Sequence, residues 1–188
     1  APAADTARQM NKERDWRWHM QWPQYRQWQC AMALGLLCCA PSTMARESRP
    51  YADCFQAAAQ HYGLAPALLT AIAQTESQMN ASALNTANRD GSWDIGLMQI
   101  NSRWVPLLES SGISASQLYD PCTSIWVGAW VLAGNVARYG YGWQAVGAYN
   151  AGTAASAAAQ QRRERYAQRI HRQLLRTADG LRTGPAAP

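Results

Sequence analysis

Phenylalanine is almost missing from this chain of 188 residues, where Phe55 stands alone, and lysine is equally scarce, with Lys12 its only example. The three histidines, His19, His61 and His171, lie far apart without ligand spacing, so no metal centre is expected. No glycine-rich loop of the kind that cradles phosphate occurs, and no serine or cysteine nucleophile has an obvious histidine partner. Nucleotide-driven chemistry and triad-type acyl transfer are set aside, and no cofactor is expected. No arginine- or lysine-dense stripe is interleaved with aromatics, which argues against nucleic acid as a partner. The apolar run from Cys30 to Ala40 is too short to cross a bilayer comfortably, so no stable membrane span is expected.

What is present is abundant alanine, together with 9 tryptophans. Small residues suit close helix packing and a few aromatic plates fill the remainder, so composition points to a mainly α fold. The length suits one ordinary domain with a real core and is short for two domains plus linkers. Positive charge is almost all arginine and gathers at the two ends. From residue 46 onward 12 arginines stand against 9 acidic residues, a net charge of about +3. This mild excess fits an acidic polymer such as a cell wall.

The segment from Met20 to Ala45 has Arg26 in a polar lead, then the apolar run, then Thr43-Met44-Ala45 as a small-residue cleavage site. That is the order of a secretory signal, cut near Ala45, with an uncleaved anchor or a buried helix as the alternative. Residues 1 to 45 are thus read as an N-terminal extension and signal peptide, 46 to 177 as the working domain and 178 to 188 as a disordered tail. Lipidation at Cys38 or Cys39 has little support behind bulky leucines. Cys30, Cys38 and Cys39 fall in the leader, which leaves Cys54 and Cys122 in the exported portion. Two cysteines in an oxidising compartment suggest one disulfide; two free buried thiols are the alternative.

Periodicity predicts helices over 51 to 62, 65 to 79, 102 to 111, 121 to 139, 142 to 149 and 156 to 177. Turn signals separate them: "NRDG" at 88 to 91, "DPC" at 120 to 122 with Pro121 at a helix start, and "YGYG" at 139 to 142. Only "DIGLMQIN" has strand flavour, so a small β-hairpin is the most that is allowed. The basic helix at 160 to 177 is expected to pack a Tyr166, Ile170 and Leu174 stripe on the core in preference to lying on a membrane.

Within the second helix Leu68, Ile72 and Glu76 recur at i, i+4 and i+8, so Glu76 points where the core residues point. A carboxyl there loses hydration, which disfavours its charged form and suits a general acid. An arginine partner, or a place one step past the core in water, is the plainer reading. Asp94 precedes a glycine-containing apolar stretch able to fold over that helix. Two carboxylates on one face, one neutral and one ionised, are a common arrangement for cutting glycosidic bonds.

Three stretches, "TES" at 75 to 77, "GLMQIN" at 96 to 101 and "AYNAG" at 148 to 152, resemble the signature motifs of the soluble lytic transglycosylases, glycoside hydrolase family 23. The similarity extends over residues 51 to 151. It is strongest to the small members that accompany conjugation, secretion and pilus systems, which share "DPC" and "VGAW". "DGSWDIGLMQINSRW" also resembles animal lysozymes. The resemblance implies a lysozyme-like helical domain acting on peptidoglycan, as a monomer in the periplasm or outside the cell, beside an envelope-spanning secretion or conjugation apparatus.

By that resemblance Glu76 is the general acid and then the base, and Asp94 is a possible second carboxylate. Ser77, Gly96, Leu97, Met98, Gln99, Asn101, Tyr149 and Asn150 are the candidate substrate-binding residues. Gly96 would let backbone approach the sugar, Leu97 and Met98 would wall the site, and Gln99 and Asn101 would offer amides. Tyr149 would hydrogen-bond Glu76. Met98 reads equally as core, and Trp93, Trp104 and Trp143 could stack on sugars or fill the interior. Three further outcomes remain open: a lysozyme-like hydrolase using Glu76, Asp94 and water, a wall-binding module without turnover, and a cationic antimicrobial protein acting through the basic 160 to 177 helix.

Overall fold

Helix starts and stops follow the punctuation of the sequence. A computed structural model describes residues 50 to 182, with side chains to Ala178. The leader, its cleavage near Ala45 and the end of the tail lie outside the described residues. Helix α1, Ala52–Tyr62, closes at Gly63, whose φ of 64° lets its N–H return to the Ala59 carbonyl. Helix α2, Pro66–Ser77, opens with Pro66 where no backbone donor is needed.

The hairpin expected within "DIGLMQIN" is present as β2, Asp94–Ile95, and β3, Ile100–Asn101, and β1, Leu84–Asn85, adds a third antiparallel strand. Two residues with an exposed Leu84 carry no periodic signal, so β1 had nothing to announce it. The helix predicted over 102 to 111 is instead a 3-10 turn, Ser102–Trp104, followed by α3, Val105–Ser110. Pro106 explains the break: it has no N–H for the Ser102 carbonyl, and its ring crowds that position.

A second 3-10 turn, Ala115–Tyr119, leads into α4, Pro121–Tyr139. Pro121 takes the first helical position, and the Asp120 carboxylate accepts the Thr123 N–H at 2.8 Å. Helix α4 ends at Gly140, with φ of 77°. Helix α5, Trp143–Ala151, follows, and α6, Ala157–Arg182, runs beyond residue 177 into the stretch read as tail.

Helix α4 lies at the centre, with Ser124, Ile125, Trp126, Val127, Gly128, Ala129 and Leu132 buried. It packs on α1 and α5, and α6 packs on α5 and α2. At the α5–α6 crossing a Cβ on Gly147 would stand 2.5 Å from the Arg163 carbonyl, so only glycine allows the helices this close. Tyr166 and Ile170 are buried on the inner face of α6, as the stripe predicted, and Leu174 is half-buried. Cys54 and Cys122 form a disulfide that joins α1 to the first turn of α4 across 68 residues. In the chain-entropy model a loop of that length contributes about 4 kcal/mol.

Candidate active site

Glu76 occupies the last turn of α2, in line with the buried Leu68 and Ile72. Its Oε1 accepts a hydrogen bond from the Tyr166 hydroxyl at 2.5 Å. Burial pushes the Glu76 carboxyl above the usual range. The Tyr166 bond and the Arg169 guanidinium pull it down, Asp94 pushes it up, and the balance stays raised. Tyr166 is itself held far above the ordinary tyrosine range, first by burial and then by Glu76, so it keeps its proton and is the donor. Its ring stacks on Tyr149 at 6.5 Å and 18°, and the Arg169 guanidinium lies 5.2 Å above its centre.

Asp94 stands on the middle strand, and the register sets Asn85 opposite it on one side and Asn101 on the other. Both amides reach it: Asn85 Nδ2 donates to Oδ2 at 3.0 Å and Asn101 Nδ2 to Oδ1 at 2.7 Å. Asn88 Nδ2 adds a third bond to Oδ2 at 2.8 Å. The Ser92 hydroxyl accepts from Asn88 and Asn101 behind this cradle. A carboxylate so surrounded has both oxygens held in place by side-chain amides.

The loop between β2 and β3 is pinned from three helices. The Ser77 hydroxyl of α2 donates to the Leu97 carbonyl at 2.7 Å. Ser124 of α4 accepts the Met98 N–H at 3.0 Å. The Tyr149 hydroxyl of α5 donates to the Met98 carbonyl at 2.9 Å. Gly128 makes this possible, since a Cβ there would meet Met98 Cε at 2.7 Å and the Tyr149 hydroxyl at 2.9 Å.

Comparison with known proteins bears on what this arrangement is for. The family model of the transglycosylase SLT domain matches residues 53 to 171. The chain belongs to the transglycosylase SLT family. It is therefore a lytic murein transglycosylase with a lysozyme-like fold, and peptidoglycan is its substrate. Invasion protein IagB of Salmonella typhimurium is 50% identical over 121 residues, 64% of this chain and 74% of that protein. Protein IpgF of Shigella flexneri is 44% identical over 128 residues, 68% and 82% of the two chains. X polypeptide of Escherichia coli is 39% identical over 136 residues, 70% and 79%. An inactive mutant of the lytic transglycosylase Slt from Pseudomonas aeruginosa superposes with a TM-score of 0.54 at 22% identity. That alignment covers 72% of this chain but only 25% of the Slt chain, and it shows the fold.

In this transglycosylase Glu76 and the 96–101 segment come together, but several expected contacts are different. Tyr149 does not bond Glu76; its proton goes to the Met98 carbonyl, and Tyr166 supplies the Glu76 bond. Gly96, with φ of 74°, faces protein, because a Cβ on it would lie 2.0 Å from the Leu118 carbonyl. Leu97 and Met98 are fully buried, so they support the site from behind and present no side-chain surface to a sugar. Asn101 spends its amide on Asp94 and Ser92 and its carbonyl on the Arg103 N–H. Ser77 spends its hydrogen on Leu97.

Gln99, at φ of 48°, donates Nε2 to the Gly96 and Ala83 carbonyls at 3.0 and 3.3 Å, whereas Asn150 is exposed. Trp104 packs edge-on against Trp130 at 5.0 Å, and Trp143 is exposed beside His171. Arg169, Asn85, Asn88 and Ser124 have no place among the sequence-based candidates, and Tyr166 stands there only as a core residue. Tyr166 carried one signal, a phenol in an otherwise apolar stripe, since a buried hydroxyl needs a partner.

Proposed function

We propose that Glu76 is the proton donor that cleaves the β-1,4 bond between N-acetylmuramic acid and N-acetylglucosamine. The carrying observation is its carboxyl: half-buried at the end of an apolar stripe, raised in pKa, and oriented by a protonated tyrosine. A carboxyl in that state is protonated where an ordinary glutamate is not, as protonating a glycosidic oxygen requires. The substrate's own acetamido group then attacks the anomeric carbon. Glu76, now a carboxylate, takes the proton of the 6-hydroxyl as that oxygen closes a 1,6-anhydro ring and displaces the acetamido oxygen. No water is consumed.

The cradle around Asp94 supports this one-acid route, because three amide donors hold both of its oxygens and compete with any role as nucleophile or base. Asp94 acts instead as a fixed negative charge that helps keep Glu76 protonated. Digestion of purified peptidoglycan followed by mass spectrometry is expected to give anhydromuropeptides. Reducing ends would assign the acceptor role to water and make the enzyme a muramidase.

The Tyr166 hydroxyl bond lowers the Glu76 pKa, so Tyr166→Phe moves that pKa up. The alkaline limb of the pH–rate profile should shift to higher pH, while the maximal rate falls about tenfold as the carboxyl loses its orienting partner. A profile unchanged in position would remove Tyr166 from contact with the titrating acid. The net positive surface and the similarity to an invasion protein support action in the periplasm or outside the cell, after cleavage near Ala45. There a monomer would open the wall locally for a secretion or conjugation apparatus.

A further inference from the structure

Five arginines of α6, Arg162, Arg165, Arg169, Arg172 and Arg176, recur at alternating steps of three and four residues, and all are exposed. That spacing places them along one strip of helix surface, about 21 Å long at 1.5 Å rise per residue. Arg163, which interrupts the run in sequence, is buried on another side, where its Nη1 donates to the Gly152 and Ala154 carbonyls. Like charges at these spacings repel and weaken a helix, so the strip is not there to hold α6 together. Among the described residues no carboxylate forms an ion pair with any of the five. Glu164, the acidic residue among the described side chains of α6, is instead engaged by Gln160.

The strip passes the candidate site at its midpoint. Arg169 lies over the ring of Tyr166, whose hydroxyl is bonded to Glu76. A polymer seated on Glu76 therefore passes close to Arg169, the middle arginine of the strip. A membrane is a poor match, because the apolar side of α6, with Ala159, Tyr166, Ala167 and Ile170, is already buried in the domain. No exposed tyrosine, tryptophan or phenylalanine is interleaved with the strip to stack bases.

We propose that the arginine strip of α6 is a docking rail for the stem-peptide carboxylates of peptidoglycan, aligning a peptide-bearing glycan strand across Glu76. The inference rests on the wall-cleaving reading above and adds which part of the wall is recognised. Guanidinium groups pair with carboxylates through two parallel hydrogen bonds, and a row of them fits a strand bearing acidic peptides at intervals. Because the strip is exposed, its contribution should fade as salt shortens the screening length.

The test is the R162Q/R165Q/R172Q/R176Q variant, which leaves Arg169 in place. It is assayed on peptide-bearing glycan and on strands stripped of stem peptides by an amidase. About tenfold lower kcat/KM on the peptide-bearing substrate is expected, with the salt dependence lost and turnover of stripped strands unchanged. Removing like charges should leave the melting temperature unchanged or higher, which confirms that the variant folds. Equal loss on both substrates, or none on either, overturns the rail. So does weaker binding of the variant to phosphatidylglycerol vesicles with peptide-bearing turnover intact. A wild-type enzyme that cuts neither substrate overturns the wall-cleaving reading itself, a result separate from the others.

Discussion

Replacing Glu76 with Gln is expected to abolish wall lysis while making the domain more stable at neutral pH. Glutamine keeps the size of the side chain and still offers an oxygen to the Tyr166 hydroxyl, so the local geometry survives. What it lacks is a proton to give. Loss of a positioned general acid costs about 10²- to 10⁴-fold, so turbidity clearance of purified wall should fall to near background. The stability change follows from the sign of the pKa shift. The folded pKa of Glu76 lies above its unfolded value, so its favourable contribution is complete below the unfolded pKa, near 4.3, and is lost as pH rises through the folded pKa.

Glutamine does not titrate. The melting-temperature advantage of Glu76→Gln should therefore be absent in acid and grow toward neutral pH. A variant less stable than wild type at pH 7, or one that still clears wall, would contradict a desolvated proton donor at this position. A non-catalytic wall-binding module would show neither the rate loss nor any reason to bury an acid.

Much of this was legible from the chain because the relevant physics is local. Pro121 and Asp120 start α4, Gly140 stops it, and the i, i+4, i+8 spacing of Leu68, Ile72 and Glu76 aims the carboxyl inward. Other features depend on register and distant packing. Asn85 and Asn101 flank Asp94 only because a strand of two residues pairs in one register, and nothing in the composition of "LN" shows it. The partner of Glu76 lies 90 residues away, on a helix whose periodicity identifies Tyr166 equally well as core. Its neighbour in the stack, Tyr149, belongs to a recognisable motif, so the sequence points to that phenol although its proton goes to the Met98 carbonyl. The motif residues Gly96, Leu97 and Met98 illustrate a related point. Each is packed under the site, and a sequence pattern cannot separate that from contact with a substrate.

Gly96→Ala tests that distinction, and it should be among the most damaging single-methyl additions in the protein. Two costs combine there. Gly96 has φ of 74°, a left-handed conformation that costs a residue with a Cβ about 1–2 kcal/mol. The added carbon would also stand 2.0 Å from the backbone oxygen of Leu118 and 3.1 Å from Ser124 Oγ. Relief requires moving the 3-10 turn at 115 to 119 or the loop itself, and overpacking of this kind costs about 1–3 kcal/mol. A total near 3 kcal/mol is expected from the shift in urea midpoint at constant slope. Gly91→Ala separates the two terms, since Gly91 has φ of 76° but nothing within 4 Å of its absent Cβ, and it should cost only about 1 kcal/mol. Activity should divide the variants in the same way. The Gly96 loop carries the carbonyls that receive Ser77, next to Glu76, and Tyr149, so displacing it disturbs the acid, whereas Gly91 lies in a surface turn that makes neither bond. If Gly96→Ala folded normally yet lost only substrate affinity, the glycine would be serving the sugar after all, because a packing role predicts loss of stability first.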